Sequence, residues 1–157
     1  MRLWLKIVIC IIIVELLGGA GGYFTLSSIK TWYVALEKPP GNPPNWIFGP
    51  VWTTLYALIG ISLALVWHRA APGQIKTSAI AWFVMQMVLN LAWTPIFFGA
   101  HQINAALIVI AGMWISIAVT IYYFRKADRV AALLLVPYLL WVSYATYLNA
   151  GYAVLNK

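Results

Sequence analysis

Acidic side chains are almost missing from this sequence: Glu15, Glu37 and Asp128 are the only three in 157 residues. They form no organised acid–base pair. Charged residues of both signs reach only 8%, against roughly 25% in a water-soluble domain. Cysteine is scarcer still. Cys10 stands alone, which excludes an internal disulfide and any CxxC or CxxCH site. The two histidines, His68 and His101, fall at the edges of apolar runs, so no bis-histidine haem fits inside one. No group of residues has metal-ligand spacing, and no metal is expected. A Ser-His-Asp set, a Walker-type loop and a dinucleotide fingerprint are absent as well. No conventional catalytic constellation remains, and no obligatory cofactor is expected.

What is present is apolar. Hydrophobic residues make up 64% of the chain, with mean hydropathy +0.87. The apolar runs approach 20 residues, the length of a membrane-crossing helix, whereas barrel strands alternate over about ten. The pattern predicts an all-α membrane protein in one domain over residues 1–157. Its spans are expected at Leu5–Phe24, Trp46–Trp67, Ser78–Phe98, Ile103–Phe124 and Val130–Val154. Residues 1–24 look superficially like a signal peptide, but Glu15 inside the apolar stretch argues for a retained first span. The tight connections Gly99–Gln102 and Arg125–Arg129 imply that spans three, four and five pack in sequence. No internal repeat is visible.

The net charge of +7 gathers at span ends, which suits anionic lipid rather than nucleic acid. Arg2, Lys6, Arg69, Lys76, Arg125, Lys126 and Arg129 share one side; Lys30, Lys38 and Lys157 share the other. The positive-inside rule then expects a cytoplasmic N-terminus and a first loop outside. A bacterial cell membrane fits these features, with a mitochondrial outer membrane as the alternative.

That first loop, within Thr25–Asn45, carries Pro39, Pro40, Pro43 and Pro44. Each proline removes a backbone donor and fixes φ near about −65°. A tether needs no such stiffness, so the stretch reads as a structured lid over the end of a helix bundle. Beneath it several spans present one-sided stripes. Span two has Trp52, Tyr56, Ile59 and Leu63; span three has Gln86, Asn90, Trp93 and Phe97; span five has Tyr138, Trp141, Ala145, Leu148 and Tyr152. Helix packing explains such stripes equally well. Pro95 is expected to distort span three and Gly99 to end it. Span four, with Asn104 and Trp114, reads as a lipid-facing wall. Gly18 and Gly22 form a GxxxG pair, suited to packing within the bundle or to a dimer seam. Glu15, near mid-span, is a functional candidate by its position; the plainer reading is a neutral carboxyl bonded to a neighbouring helix.

Read together, Trp32-Tyr33, Leu36-Glu37-Lys38-Pro39, Pro43-Pro44, Gly49-Pro50-Val51-Trp52 with Leu55-Tyr56, Leu89-Asn90 with Trp93, Pro95 and Phe97-Phe98-Gly99, and Pro137-Tyr138-Leu139 with Trp141 and Leu148-Asn149 resemble the translocator protein family, also called the tryptophan-rich sensory protein or peripheral benzodiazepine receptor family. The match runs through the whole chain in order. The resemblance implies a five-helix bundle with a loop-covered pocket, and a homodimer. It implies binding of tetrapyrroles such as protoporphyrin IX, of sterol-like lipids and of isoquinoline carboxamides. By position, Trp52 and Asn90 match polar ligand contacts. Tyr33, Tyr56, Ala145 and Leu148 match pocket-lining positions, and Trp32 and Trp141 match tryptophans tied to light-dependent porphyrin breakdown. Trp93 and Tyr138, from the stripes, join the expected ligand-binding set. Leu148, Tyr152 and Lys157 fit a proposed sterol pattern. Gly41 stands where the family usually carries an aromatic residue.

The expected function is a membrane receptor or sensor for tetrapyrroles and lipids, with light-dependent porphyrin degradation or transport as further roles. The alternative is a proton-coupled transporter of hydrophobic substrates using Glu15.

Overall fold

The computed structural model describes all of residues 1–157. Six α-helices and no strand build it. They are α1 (Leu3–Ser28), α2 (Phe48–Arg69), α3 (Gln74–Thr94), α4 (Ile103–Ala127), α5 (Arg129–Leu134) and α6 (Val136–Leu155). With α5 and α6 in line, they make five helices long and apolar enough to cross a membrane. The chain is a five-helix bundle of an integral multi-pass membrane protein. Neighbours follow the ring α1, α2, α5–α6, α4, α3, closed where the end of α3 meets α1.

Three of the expected spans stand, with detail that the sequence did not show. The fifth span is two helices, because Pro137 has no N–H for the preceding turn and the chain breaks at Leu135. The bond Ser62 Oγ→Ala131 O, at 2.7 Å, ties α5 to α2. Span four is a wall with two sides: Ile108, Ile115 and Tyr122 are exposed on the outer one. Ile110, Met113, Ile117 and Phe124 are buried on one face, and Phe83 of α3 stacks on Phe124 at 5.9 Å. Ser116 and Thr120 can be buried on the same face because each hydroxyl donates to a carbonyl of its own helix, at 2.9 and 2.6 Å. Finally, α3 does end near Gly99, but through a π turn over Pro95–Gly99 with Ala100 N–H donating to Pro95 O at 2.8 Å. The left-handed residue after it is His101, φ 57°. Gly99 serves close approach instead, since a Cβ there would lie 2.9 Å from the Phe24 ring.

Helix α1 lies at the rim, with only Cys10, Val14 and Ser28 buried. It touches α2 most closely at Gly60, where a Cβ would come within 2.7 Å of the Ile11 backbone. The apolar core divides in two. A large cluster fills the end away from the lid, and a small aromatic one (Tyr33, Phe97, Phe98, Ala106, Leu148, Tyr152) lies under the lid.

The lid runs from Ile29 to Pro44 and folds back onto α6. Tyr147 Oη donates to Pro40 O at 2.8 Å, and Tyr144 Oη donates to Gly41 O. Asn42 Oδ1 accepts from Tyr152, and Tyr152 and Tyr33 share a hydroxyl bond at 2.6 Å. Asn156 clasps Glu37, accepting from its N–H at 2.8 Å and donating to its carbonyl at 2.9 Å. Gly41 has φ +81°, a left-handed conformation in which any side chain is strained. The glycine in place of an aromatic therefore has a backbone reason.

Candidate ligand-binding site

Between the two core clusters lies a cavity of about 500 Å³, within the range of small-molecule sites. Its wall is assembled from helix faces. On α1, Glu15, Gly18, Gly19, Gly22, Thr25 and Leu26 recur at three- and four-residue spacing, so they form one stripe. Four of the α1 lining residues are glycines, counting Gly21, and what they contribute is room. Gly18 is covered by the Tyr56 ring, where a Cβ would meet ring carbon at 2.1 Å; Gly19, Gly22 and Gly49 have nothing within 4 Å. Closed at Gly60 and Ile11, the α1–α2 seam opens toward the lid.

On α2, Trp52 and Tyr56 face the cavity with ring centroids 5.3 Å apart. Pro50, in the first turn of α2, falls where its missing N–H would lack a helical partner anyway. Trp52 Nε1 makes no hydrogen bond within the protein, and neither does Trp141 Nε1 on α6. Trp93 differs: its Nε1 donates to Asn149 Oδ1 at 3.0 Å, while its ring stacks on Phe97 at 4.9 Å. Trp141, Ala145, Leu148 and Tyr152 line the α6 wall, Ile110 and Met113 come from α4, and Tyr33 reaches in from the lid.

Asn90 and Tyr138 are outside that lining. They sit beneath it in a buried relay: Tyr56 Oη donates to Asn90 Oδ1 at 3.1 Å, Asn90 Nδ2 donates to Tyr138 Oη at 2.7 Å, and Tyr138 Oη donates to Gln86 Oε1 at 2.7 Å. The relay joins α2, α3 and α6 and holds Tyr56 in place. Gln86 Nε2, at its end, has no partner. Trp32 also lies outside the cavity. It stacks on His101 at 4.1 Å and meets the outer side of Phe97 edge-on at 5.5 Å. It is therefore one ring removed from the wall that holds Trp141. Leu148 and Tyr152 are buried while Lys157 is exposed, so the three sterol-pattern residues share no outward face.

The glycine stripe of α1, Ile110 and Met113 were not expected in the wall. A side chain that is absent leaves no apolar periodicity to read, and large apolar residues stand on both the buried and the exposed sides of α4. Glu15 is half-buried and lines the cavity, but it has no hydrogen bond to a neighbouring helix, contrary to the plainer reading.

Comparison with known proteins supplies the context. The model of the TspO/MBR family matches residues 9–155. The chain is 41% identical over 152 residues to the tryptophan-rich protein TspO of Archaeoglobus fulgidus, covering 97% of each. It is 40% identical over 130 residues to the translocator protein of Homo sapiens, covering 82% of this chain and 77% of that one. With the protein CrtK of Rhodobacter capsulatus, identity is 37% over 137 residues, covering 87% and 86%.

Proposed function

Because the chain belongs to the TspO/MBR family, we propose that it is a membrane receptor or sensor whose cavity takes planar, mostly apolar ligands. Tetrapyrroles such as protoporphyrin IX come first, with sterol-like lipids and isoquinoline carboxamides in the same class. The observation that carries this reading is a cavity of about 500 Å³ walled by aromatic faces and glycine backbone, in which the Trp52 and Trp141 indole N–H groups are unspent. Flat apolar guests stack on such walls, and an indole N–H left free orients them through a single polar edge. Lys30, Lys38 and Lys157 lie at the lid end and the other seven basic residues at the far end. We place the lid on the outer side of a bacterial cell membrane accordingly.

The test is a titration with protoporphyrin IX, followed by tryptophan fluorescence in lipid nanodiscs. Trp52→Phe keeps a ring and loses the donor; one hydrogen bond of about 1 kcal/mol predicts a roughly fivefold weaker affinity. An affinity equal to the wild type in Trp52→Ala would falsify the site.

Trp141 in the wall favours a second role, light-driven oxidation of a bound porphyrin by oxygen to a bilin-like product. Illumination in air that bleaches porphyrin no faster with protein than without removes this role.

A further inference from the structure

Glu15 is the only carboxyl in the cavity wall, and no lysine, arginine or histidine shares that wall. The one ion pair in the molecule, Arg69 with Asp128, lies elsewhere. Glu15 accepts no hydrogen bond from any protein group. It stands midway along α1, one turn from Gly18 and Gly19 on the cavity stripe. Those glycines put no side chain between the carboxyl and the interior. The Tyr56 ring lies against Gly18, with Trp52 beside it, so two aromatic rings line the cavity one turn along α1 from Glu15. Lining an apolar cavity with a carboxyl that has no partner is costly. A guest that brings its own donor removes that cost, and a guest that brings a second carboxylate raises it. An ammonium group also gains from the neighbouring ring faces.

We infer that Glu15 makes this cavity selective for flat apolar ligands that carry a basic nitrogen, and that it turns carboxylate-bearing edges away from its end. This selectivity presupposes that the cavity is the ligand site proposed above. The bound pair is the same whether an ammonium meets a carboxylate or a free amine meets a carboxylic acid. One proton is held between nitrogen and oxygen in either case. A porphyrin in the same cavity lies with its acidic side chains directed away from α1.

Three pyrene probes test the inference: 1-pyrenemethylamine, 1-pyrenemethanol and 1-pyreneacetate. Energy transfer from tryptophan to pyrene is measured in phosphatidylcholine nanodiscs, with empty nanodiscs correcting for partition into lipid. The wild type is expected to bind the amine about tenfold or more tighter than the alcohol, as for a charge-assisted hydrogen bond, and the acetate most weakly. Glu15→Gln should bring the amine-to-alcohol ratio to within about twofold of one, while Glu15→Asp keeps the amine ahead. An amine preference that survives unchanged in Glu15→Gln, or a wild type that binds amine and alcohol alike, overturns the role of Glu15. If the alcohol itself gives no saturable signal that depends on Trp52, the cavity reading fails and the selectivity with it. Should the glutamine variant not fold, the wild-type order of the three probes decides.

Discussion

Asn90 shows how a residue of the right type can act one layer away from where its type points. An amide inside an apolar helix needs partners, and a ligand is one candidate. Here both its groups are taken by phenols, Tyr56 on one side and Tyr138 on the other. Asn90→Ala is therefore expected to act first on stability, by about 1–3 kcal/mol, because the Tyr56 hydroxyl loses its acceptor while Tyr138 still donates to Gln86. Trp52→Phe should change melting far less while weakening ligand. Thermal melts in detergent alongside the porphyrin titration separate the two. Asp128, outside the spans, gives a pH-dependent counterpart. Burial pushes its carboxyl up, but the Arg69 bond, the Ala131 and Val130 amides and the Arg69 charge outweigh that and hold it below the usual aspartate range. A lowered folded-state value means that the stabilisation is present above the ordinary value of about 3.9 and fades as pH falls through the lower one. The wild type should melt above Asp128→Ala at neutral pH, by about 1 kcal/mol of cap and ion pair. The gap should narrow only at pH below about 4.

Among the elements, α1 is the one whose role changes most between sequence and fold. Gly18 and Gly22 have the spacing of a helix seam, yet only Gly18 is closely covered, and by a side chain rather than a backbone. The neighbouring glycines work as missing side chains that widen the cavity. Two substitutions one residue apart should then behave oppositely. Gly18→Ala drives a methyl into the Tyr56 ring at 2.1 Å and disturbs the relay beneath it, lowering stability by about 1–3 kcal/mol. Gly19→Ala meets nothing within 4 Å, so the helix gains the roughly 0.5–1 kcal/mol by which alanine exceeds glycine. Paired melting curves check the signs. Gly19→Leu, by the same geometry, should leave the fold intact and weaken protoporphyrin IX by filling the space it needs.

For the whole molecule, the lid and α6 behave as one piece. Tyr144, Tyr147, Tyr152 and Asn156 bond to residues 37–42 of the lid, and Pro39 packs on Gly151, where a Cβ would lie 2.5 Å away. Chain stiffness from the prolines and these bonds act together to keep the cavity covered. Removing two hydroxyls in a Tyr144→Phe, Tyr147→Phe double variant leaves the rings and cuts two bonds to the lid. Hydrogen exchange at Glu37, Lys38, Gly41 and Asn42 should rise by about tenfold, and ligand release should quicken. Amides of α3 and α4 should exchange as before.

Composition and run length alone determined the membrane helices, because about 20 apolar residues in a row have no other stable home. The spacing of prolines and tryptophans marked the lid and most of the α2 and α6 walls, since a ring at every turn leaves a periodic trace. What only the tertiary structure decided was which polar group faces the cavity and which is spent inside the protein. Asn90 and Trp93 are bonded within the bundle, while Trp52 and Glu15 are not, and that difference depends on partners brought from distant helices. The same holds for the room itself. An empty volume lined by glycine has no sequence signal, because it arises where two helices part.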